Sequence, residues 1–141
     1  MIIKQLSIFL ENKTGRLAEI SEILGKIGIN MSAFSVADSS DFGILRLIVS
    51  EPEKALEALK AEGFSVRLTD VLCLNVPNTP GALSKAMSIL KAAAIEIEYM
   101  YAFSLGEDAL SVIKPQNIDR CIEVLQAHKL ELMASNSLYK L

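Results

Sequence analysis

The stretch "FLENKTGRL" (Phe9–Leu17) decides the fold of this chain. An apolar run ends there, the chain turns at Asn12 and Gly15, and apolar residues then recur at helical spacing. The stretch "NVPNTPGAL" (Asn75–Leu83) repeats the arrangement, with Gly81 standing 66 positions after Gly15 (81 − 15). A strand-to-helix turn that occurs twice in one chain indicates a duplicated structural unit.

The repeat extends well beyond the two turns. At the same offset apolar residues fall on apolar residues in both halves: Ile23 on Ile89, Leu24 on Leu90, Ile29 on Ile95 and Leu59 on Leu125. The sequence therefore predicts two tandem units, residues 1–70 and residues 71–141, which form a pair of small domains rather than a solenoid.

Each unit has the pattern strand, helix, strand, strand, helix, strand. Alternating apolar residues in "IIKQLSIFL" predict the first strand, and Leu17, Ile20 and Leu24 predict the first helix. This βαββαβ order is typical of the ferredoxin-like fold, an α+β arrangement with two helices on one face of an antiparallel sheet. We expect the sheets of the two units to join side by side, and the tail "SLYKL" to add an edge strand or to be frayed.

Two helix starts are readable from single residues. Ser50 stands three positions before Glu53, with Pro52 between them, which predicts a capping box on the second helix. In the second unit we expect the corresponding helix to begin at about Asn117.

Composition excludes several classes of function. The chain has 141 residues, 51% of them hydrophobic, and a net charge of −3, which argues against a nucleic-acid surface. No apolar run reaches the roughly 20 residues that a membrane span needs. The two cysteines, Cys73 and Cys121, lie in apolar patterns and indicate buried, reduced thiols in a cytoplasmic protein; a disulfide between them is the alternative.

Catalytic residues are scarce in the sequence. The single histidine, His128, stands near the end of a helix, where it is expected to cap the helix or lie on the surface. We predict no catalytic residue, no metal site and no cofactor, because neither clustered metal ligands nor a glycine-rich phosphate loop is present in the sequence. An acylphosphatase-like enzyme would use an arginine near Arg16, but the glycine-rich loop of that chemistry is missing.

The two strand-to-helix turns are the candidate binding elements. A helix N-terminus presents unpaired N–H groups and a partial positive charge, which suit a carboxylate. Gly15 and Gly81 leave room beside it, and Asn12 and Asn78 each offer an amide that both donates and accepts hydrogen bonds. The alternative is a purely structural turn, with Thr14 or Thr79 as the helix N-cap.

The segments "LENKTGRLAEISEILGKIGINM" and "VPNTPGALSKAMSILKAAAIEIE" resemble the opening of the ACT domain, a regulatory module that binds small molecules. The resemblance covers essentially the whole chain. It implies that an amino acid binds between two such units, in contact with the first-turn asparagine, the backbone of that turn and the asparagine entering the second strand.

These roles fall on specific residues here. Asn12 and Asn78 match the first-turn asparagine, and Asn30 matches the second-strand asparagine. Glu96 replaces Asn30 in the second unit, and Leu10 and Val76 stand where some members have a histidine. We therefore expect two unequal sites, since the Glu96 carboxylate would repel the ligand's carboxylate. The better site comprises Asn30, Met31, Asn78, Thr79, Pro80, Gly81, Ala82 and Leu83, and the weaker one Asn12, Lys13, Thr14, Gly15, Arg16, Leu17 and Glu96.

The sequence thus predicts a regulatory protein without catalytic activity of its own. Expected partners are an amino acid, a second copy of the chain and an enzyme of amino-acid metabolism. The alternative is a structural subunit that oligomerises with such an enzyme and binds no small molecule.

Overall fold

The computed structural model describes residues 1–11, 13–38 and 41–141, with the backbone alone at Asp38. The chain divides into two compact units. The N-terminal unit comprises Lys4–Thr69 together with Asn136–Leu141, and the C-terminal unit comprises Met1–Ile3 together with Asp70–Ser135. Each short terminal segment thus belongs to the unit formed by the other half of the sequence, while the repeat boundary between residues 70 and 71 stays a prediction.

The elements of the first half follow the predicted order. They are β1 (Ile3–Glu11), α1 (Arg16–Lys26), β2 (Met31–Asp38), β3 (Phe42–Val49), α2 (Pro52–Ala61) and β4 (Ser65–Pro77). In the N-terminal unit the strand order is β2-β3-β1-β4. β3 pairs antiparallel with both β1 and β2, so that Leu47 faces Leu6 on one side and Phe34 on the other.

The second half repeats this order. Its elements are α3 (Ala82–Ala92), β5 (Ile97–Leu105), β6 (Asp108–Pro115), α4 (Ile118–Ala127), β7 (Glu131–Leu132) and α5 (Ser135–Tyr139). β6 pairs antiparallel with β4 and with β5, and β7 pairs antiparallel with β4. Both halves therefore have the βαββαβ order of the ferredoxin-like fold, which confirms the predicted fold class.

Each unit has its own apolar core between its strands and its helices. The core of the N-terminal unit is formed by alternate residues of β1 and β3 with one face of α1 and α2, including Leu6, Ile8, Leu24, Leu47 and Leu59. The core of the C-terminal unit is built the same way and includes Leu72, Leu74, Leu90, Ile113 and Leu125. Full burial of each such side chain stabilises the fold by about 1.5–3 kcal/mol, so the periodic apolar positions hold the elements in place.

β4 is one continuous strand rather than the two strands that the repeat predicted. It has 13 residues, of which Ser65–Thr69 belong to the N-terminal unit and Asp70–Pro77 to the C-terminal unit. Its interior, "SVRLTDVLCLNV", contains neither glycine nor an internal proline, so nothing in the sequence ends the extended conformation.

The predicted C-terminal edge strand is wrong. Residues Ser135–Tyr139 form the short helix α5. A helical turn buries Leu138 completely and lets the Tyr139 hydroxyl accept a hydrogen bond from the Lys4 N–H at 2.8 Å. Burial of an apolar side chain and a satisfied backbone donor favour this turn over an edge strand.

Candidate functional site

The two strand-to-helix turns have nearly the same backbone conformation. Gly15 has φ 92° and ψ −6°, and Gly81 has φ 88° and ψ −14°. Each glycine is the N-cap residue of its helix, and among the described residues no side chain caps either helix. The alternative expectation, with Thr14 or Thr79 as the N-cap, is therefore wrong.

The backbone conformation explains why glycine occupies both positions. A Cβ added to Gly15 or Gly81 would meet no described atom within 4 Å, so crowding by the chain is not the reason. The left-handed φ is the reason, because a side chain in that conformation costs about 1–2 kcal/mol. The turn that the sequence singled out is thus a conformational requirement in both repeats.

The two turns differ in charge. The first turn of α1 contains Glu19, whose carboxylate lies 3.1 Å from Arg16. Glu11 lies 2.8 Å from Lys13 and 3.8 Å from Arg16, so the charges of this turn already pair with one another. The first turn of α3 reads Ala82-Leu83-Ser84-Lys85, which is neutral and basic. The first turn of α3 therefore lacks the acidic side chain that the first turn of α1 contains.

Arg16 and Glu11 belong to a cavity in the N-terminal unit. The cavity has a volume of about 310 Å³ and is lined by aromatic and charged side chains, including Phe9, Phe42, Phe64, Glu11, Arg16 and Glu62. The Arg16 guanidinium lies 5.8 Å from the centre of the Phe64 ring. A hydrogen bond from Lys13 and the charge of that residue hold the pKa of the Glu11 carboxyl below its usual value.

The turn before α3 is held by its backbone. The Asn78 N–H donates to the Glu107 carbonyl at 2.9 Å, and the Ala82 N–H donates to the Thr79 carbonyl at 3.2 Å. Residues Asn78–Gly81 are exposed, and Leu83 is 43% exposed although it belongs to a helix. The predicted residues Asn78, Thr79, Pro80, Gly81, Ala82 and Leu83 are thus contiguous and accessible, with Ala82 half-buried.

Asn30, the other asparagine of the predicted better site, lies in the N-terminal unit. Its backbone N–H donates to the Ser50 hydroxyl at 3.1 Å, and the Ser50 N–H donates to the Asn30 carbonyl at 3.0 Å. Its side-chain Nδ2 donates to the Leu141 main-chain oxygen at 3.1 Å. The next residue, Met31, packs its side chain against the core and is half-buried.

Ser50 does not cap α2 as predicted. The N-cap residue is Glu51, and among the described residues no side chain caps this helix. The Ser50 hydroxyl instead fixes the backbone of Asn30, 20 positions earlier in the chain. The sequence did not predict that Ser50 and Leu141 contact the site residue Asn30. A hydrogen bond between residues so distant in sequence leaves no local sequence pattern.

Glu96 stands at the equivalent position in the C-terminal unit. Its carbonyl accepts a hydrogen bond from the Gln116 N–H at 3.0 Å, 66 positions after the Ser50–Asn30 bond. A cavity of about 280 Å³ lies beside it, lined by residues of the same repeat, including Ala93, Glu96, Gln116, Asn117 and Arg120. The same backbone hydrogen bond thus holds Asn30 and Glu96, while their side chains differ in charge.

The predicted site residues fall into two groups. Asn30 and Met31 lie in the N-terminal unit with the turn residues Lys13, Thr14, Gly15, Arg16 and Leu17, whereas the turn Asn78–Leu83 and Glu96 lie in the C-terminal unit. Asn12, assigned to the weaker site, is outside the described residues.

The remaining polar and sulfur side chains have structural roles. The His128 ring Nδ1 lies 2.9 Å from the Val124 carbonyl at the end of α4, which confirms the predicted capping role. Cys73 and Cys121 are buried free thiols, as predicted. Within residues 1–11, 13–38 and 41–141, no three histidine, cysteine or acidic side chains group as metal ligands would. Of the helices in the described part of the chain, none has the length and apolar content of a membrane span.

Comparison with known proteins places this fold in a family. The sequence model of the family described as "ACT domain pair" matches residues 1–141. The crystal structure of protein BT0572 from Bacteroides thetaiotaomicron is 54% identical over 100% of this chain and 98% of that chain, with a TM-score of 0.97.

More distant structures share the fold alone. The regulatory subunit of aspartate kinase from Thermus thermophilus, in its ligand-free form, is 20% identical with a TM-score of 0.66, over 90% of this chain and 91% of that chain. The regulatory subunit of aspartate kinase from Thermus flavus is also 20% identical with a TM-score of 0.58, over 90% and 94%. No curated protein matches the sequence. The matched residues and the repeated βαββαβ units together show that the chain belongs to the ACT domain family, as a pair of ACT domains.

Proposed function

We propose that this protein is a non-catalytic regulatory protein that binds an amino acid. The family resemblance implies that the amino acid is held where ACT-like units meet. The observation that carries the proposal is the turn that occurs in both repeats, with a left-handed glycine at a helix start that no described side chain caps. Backbone N–H groups at such a start suit a carboxylate, and an asparagine amide beside it suits an ammonium or carboxylate group. At the level of fold, the aspartate kinase regulatory subunits support a regulatory role.

The charges of the two turns support the Asn78 turn as the better site. Glu11 and Glu19 lie at the turn before α1 and form ion pairs with Lys13 and Arg16. These pairs neutralise the two cations, which therefore offer little attraction to the carboxylate of an amino acid. The first turn of α3, Ala82–Lys85, contains no acidic residue. The Glu96 carboxylate at the weaker site would repel the carboxylate of an amino acid. Asn30, the equivalent residue of the better site, has an uncharged amide.

Regulation would operate by linkage. An amino acid that binds one arrangement of the units more tightly than another shifts the equilibrium between them, and a partner enzyme responds to that shift. The protein would contribute no chemical step of its own, so the enzymatic output would belong to the partner. A second copy of the chain is the other partner that we propose.

Thermal unfolding in the presence of each of the twenty common amino acids tests the proposal. An amino acid at 100 times its dissociation constant would stabilise the fold by about 2.7 kcal/mol and raise the melting temperature by several degrees. The absence of a shift with every amino acid would favour the alternative, a structural subunit that oligomerises with a metabolic enzyme.

Two matched variants test the choice of site. Asn78→Ala should weaken binding of the stabilising amino acid about tenfold or more, since a buried polar ligand group left without its partner costs about 1–3 kcal/mol. Asn12→Ala, the equivalent change in the other repeat, should leave the affinity nearly unchanged. Loss of binding with Asn12→Ala alone would contradict the assignment.

The acylphosphatase-like alternative finds little support at Arg16. Its guanidinium contacts the carboxylates of Glu11 and Glu19 and lies over the Phe64 ring. A guanidinium already paired with two carboxylates is a poor ligand for a phosphate, because the anion would have to displace them.

A further inference from the structure

The C-terminal segment Asn136–Leu141 packs with the N-terminal unit although it follows the last strand of the second repeat. Leu138 of this segment is fully buried. The Tyr139 hydroxyl accepts a hydrogen bond from the Lys4 N–H at 2.8 Å, which ties the segment to β1. The segment is therefore held at a defined position by an apolar anchor and a polar one.

That position is beside Asn30. The Asn30 Nδ2 donates to the Leu141 main-chain oxygen at 3.1 Å, across 111 positions of sequence. Two hydrogen bonds with Ser50 fix the backbone of Asn30. The hydrogen bond to the C-terminal segment orients the side-chain amide of Asn30.

A cavity adjoins the contact. It has a volume of about 400 Å³ and is lined by Asn30, Ser50, Asn136, Tyr139, Lys140 and Leu141. This volume lies within the range of small-molecule pockets, about 300–1,000 Å³. Four of its six lining residues come from the C-terminal segment, so movement of the segment would change both the room beside Asn30 and the hydrogen bond that its amide makes.

We propose that the C-terminal segment is a built-in competitor for the Asn30 amide. The inference rests on the proposed function, in which Asn30 contacts the bound amino acid. The Leu141 main-chain oxygen occupies a donor of the Asn30 amide, and an amino acid that uses the amide fully must displace Leu141. The apparent affinity then equals the intrinsic affinity multiplied by the fraction of molecules in which the segment is released.

The competition by the C-terminal segment applies to one repeat. The equivalent cavity at Glu96 is lined by Ala93–Glu96 and by Gln116, Asn117 and Arg120, all from the same repeat. The C-terminal segment would thus regulate the Asn30 position and leave the Glu96 position unaffected.

Two variants that retain Leu138 test the inference. Deletion of Tyr139–Leu141 removes the competing main-chain oxygen of Leu141, and Tyr139→Phe removes the hydroxyl that accepts from the Lys4 N–H. Ser137→Ala is the matched control, since Ser137 is exposed and does not line the cavity. Affinity for each of the twenty common amino acids, tested singly by calorimetry, is compared among the variants, with circular dichroism to establish that each is folded.

The expected result is a gain in affinity of about fivefold on deletion, the ratio that corresponds to one hydrogen bond of ordinary net strength. A smaller gain is expected for Tyr139→Phe, and no change for Ser137→Ala. If the deletion variant does not fold, the affinity of Tyr139→Phe for the amino acid tests the inference alone, and a gain supports it.

Unchanged or weakened binding in both variants would overturn the inference and leave the proposed function standing, since an amino acid would still bind. If no amino acid binds the wild type or the folded deletion variant, the proposed function fails and the competition fails with it. The two failures are thus distinguished by whether an amino acid binds the wild type or the folded deletion variant.

Discussion

Asn30 and Ser50 exchange two hydrogen bonds. The Asn30 N–H donates to the Ser50 hydroxyl at 3.1 Å, and the Ser50 N–H donates to the Asn30 carbonyl at 3.0 Å. The exchange joins the residue before β2 to the residue after β3. The backbone half of it recurs in the second repeat, where the Gln116 N–H donates to the Glu96 carbonyl at 3.0 Å. The fold therefore fixes this position in both units, and the side chain there is what distinguishes them.

Ser50→Ala should lower the free energy of unfolding by about 1 kcal/mol. The substitution removes the acceptor of the Asn30 N–H, and a hydrogen bond of this kind contributes about 0.5–1.5 kcal/mol net. Urea unfolding measures the change in the free energy of unfolding, and hydrogen exchange at the backbone N–H of Asn30 should become faster.

Ser21→Ala is the matched control for that variant. The exposed Ser21 hydroxyl donates to the Ala18 carbonyl within α1 at 2.9 Å, and alanine is the better helix former, so no loss of stability is expected. Equal losses in the two variants would contradict a specific role for the Ser50 hydroxyl.

Gly81→Ala and Gly25→Ala should change stability in opposite directions. Gly81 has φ 88°, so a side chain there costs about 1–2 kcal/mol. Gly25 lies inside α1, where an added Cβ would meet no described atom within 4 Å, and alanine should stabilise the helix by about 0.5–1 kcal/mol. Thermal unfolding compares the two; a neutral Gly81→Ala would show that the left-handed turn is dispensable.

The fold could be predicted because its pattern is local and occurs twice. Leu17, Ile20 and Leu24 define a helical face by spacing alone, and the structure has α1 at Arg16–Lys26. Asn117 was predicted near the start of α4 and is its N-cap residue, accepting from the Arg120 N–H at 3.1 Å. Such signals need no knowledge of the rest of the chain.

The C-terminal helix could not be predicted in the same way. "SLYKL" aligns with a strand of the repeat, yet burial of Leu138 and the bond from the Lys4 N–H to Tyr139 decide its conformation. These contacts join residues more than a hundred positions apart. The Asn30–Leu141 bond is of the same kind, and tertiary contacts of this range override local propensity.

For the two turns, the sequence predicted the location of the candidate site but not the helix caps. Glycine at residues 15 and 81 marked the position of both turns, and the structure adds that each glycine has a left-handed backbone conformation. Threonine before each glycine suggested a helix cap that the structure does not have, because the left-handed glycine itself is the N-cap residue. Residue type thus gave the location of the candidate site but not its hydrogen bonds.

Lys13→Ala should raise the pKa of Glu11 toward its ordinary value. Lys13 donates a hydrogen bond to the Glu11 carboxylate and lies 2.8 Å from it, which holds that pKa low. A lowered carboxyl pKa stabilises the fold above the ordinary value, and this stability is lost as the pH falls through the folded value. The carboxyl is exposed to solvent, so the effect on stability should be small.

Titration of the Glu11 carboxyl by NMR measures that change. Lys26→Ala, in the last turn of α1, removes an equal charge and should leave the Glu11 titration unchanged. An unchanged Glu11 pKa in Lys13→Ala would show that the ion pair does not form in solution.

The two buried thiols should resist modification in the folded protein. Burial raises the pKa of Cys73 to about 12 and also raises the pKa of Cys121. Because the thiolate is the reactive form, iodoacetamide should label either cysteine near pH 8 only as fast as the chain opens, whereas the chain unfolded in urea should react at once. Mass spectrometry gives the rate for each cysteine. Rapid labelling of Cys73 in the folded protein would contradict its burial.

The same thiols predict how stability responds to alkali. Below the ordinary thiol pKa of about 8.5, both states keep their protons and stability is unaffected. As the pH rises from there toward about 12, the unfolded state loses the Cys73 proton first, so the free energy of unfolding falls by up to about 1.4 kcal/mol per pH unit. Cys73→Ala should therefore show a shallower alkaline decline than the wild type in urea unfolding, and equal slopes would exclude this thiol as the cause.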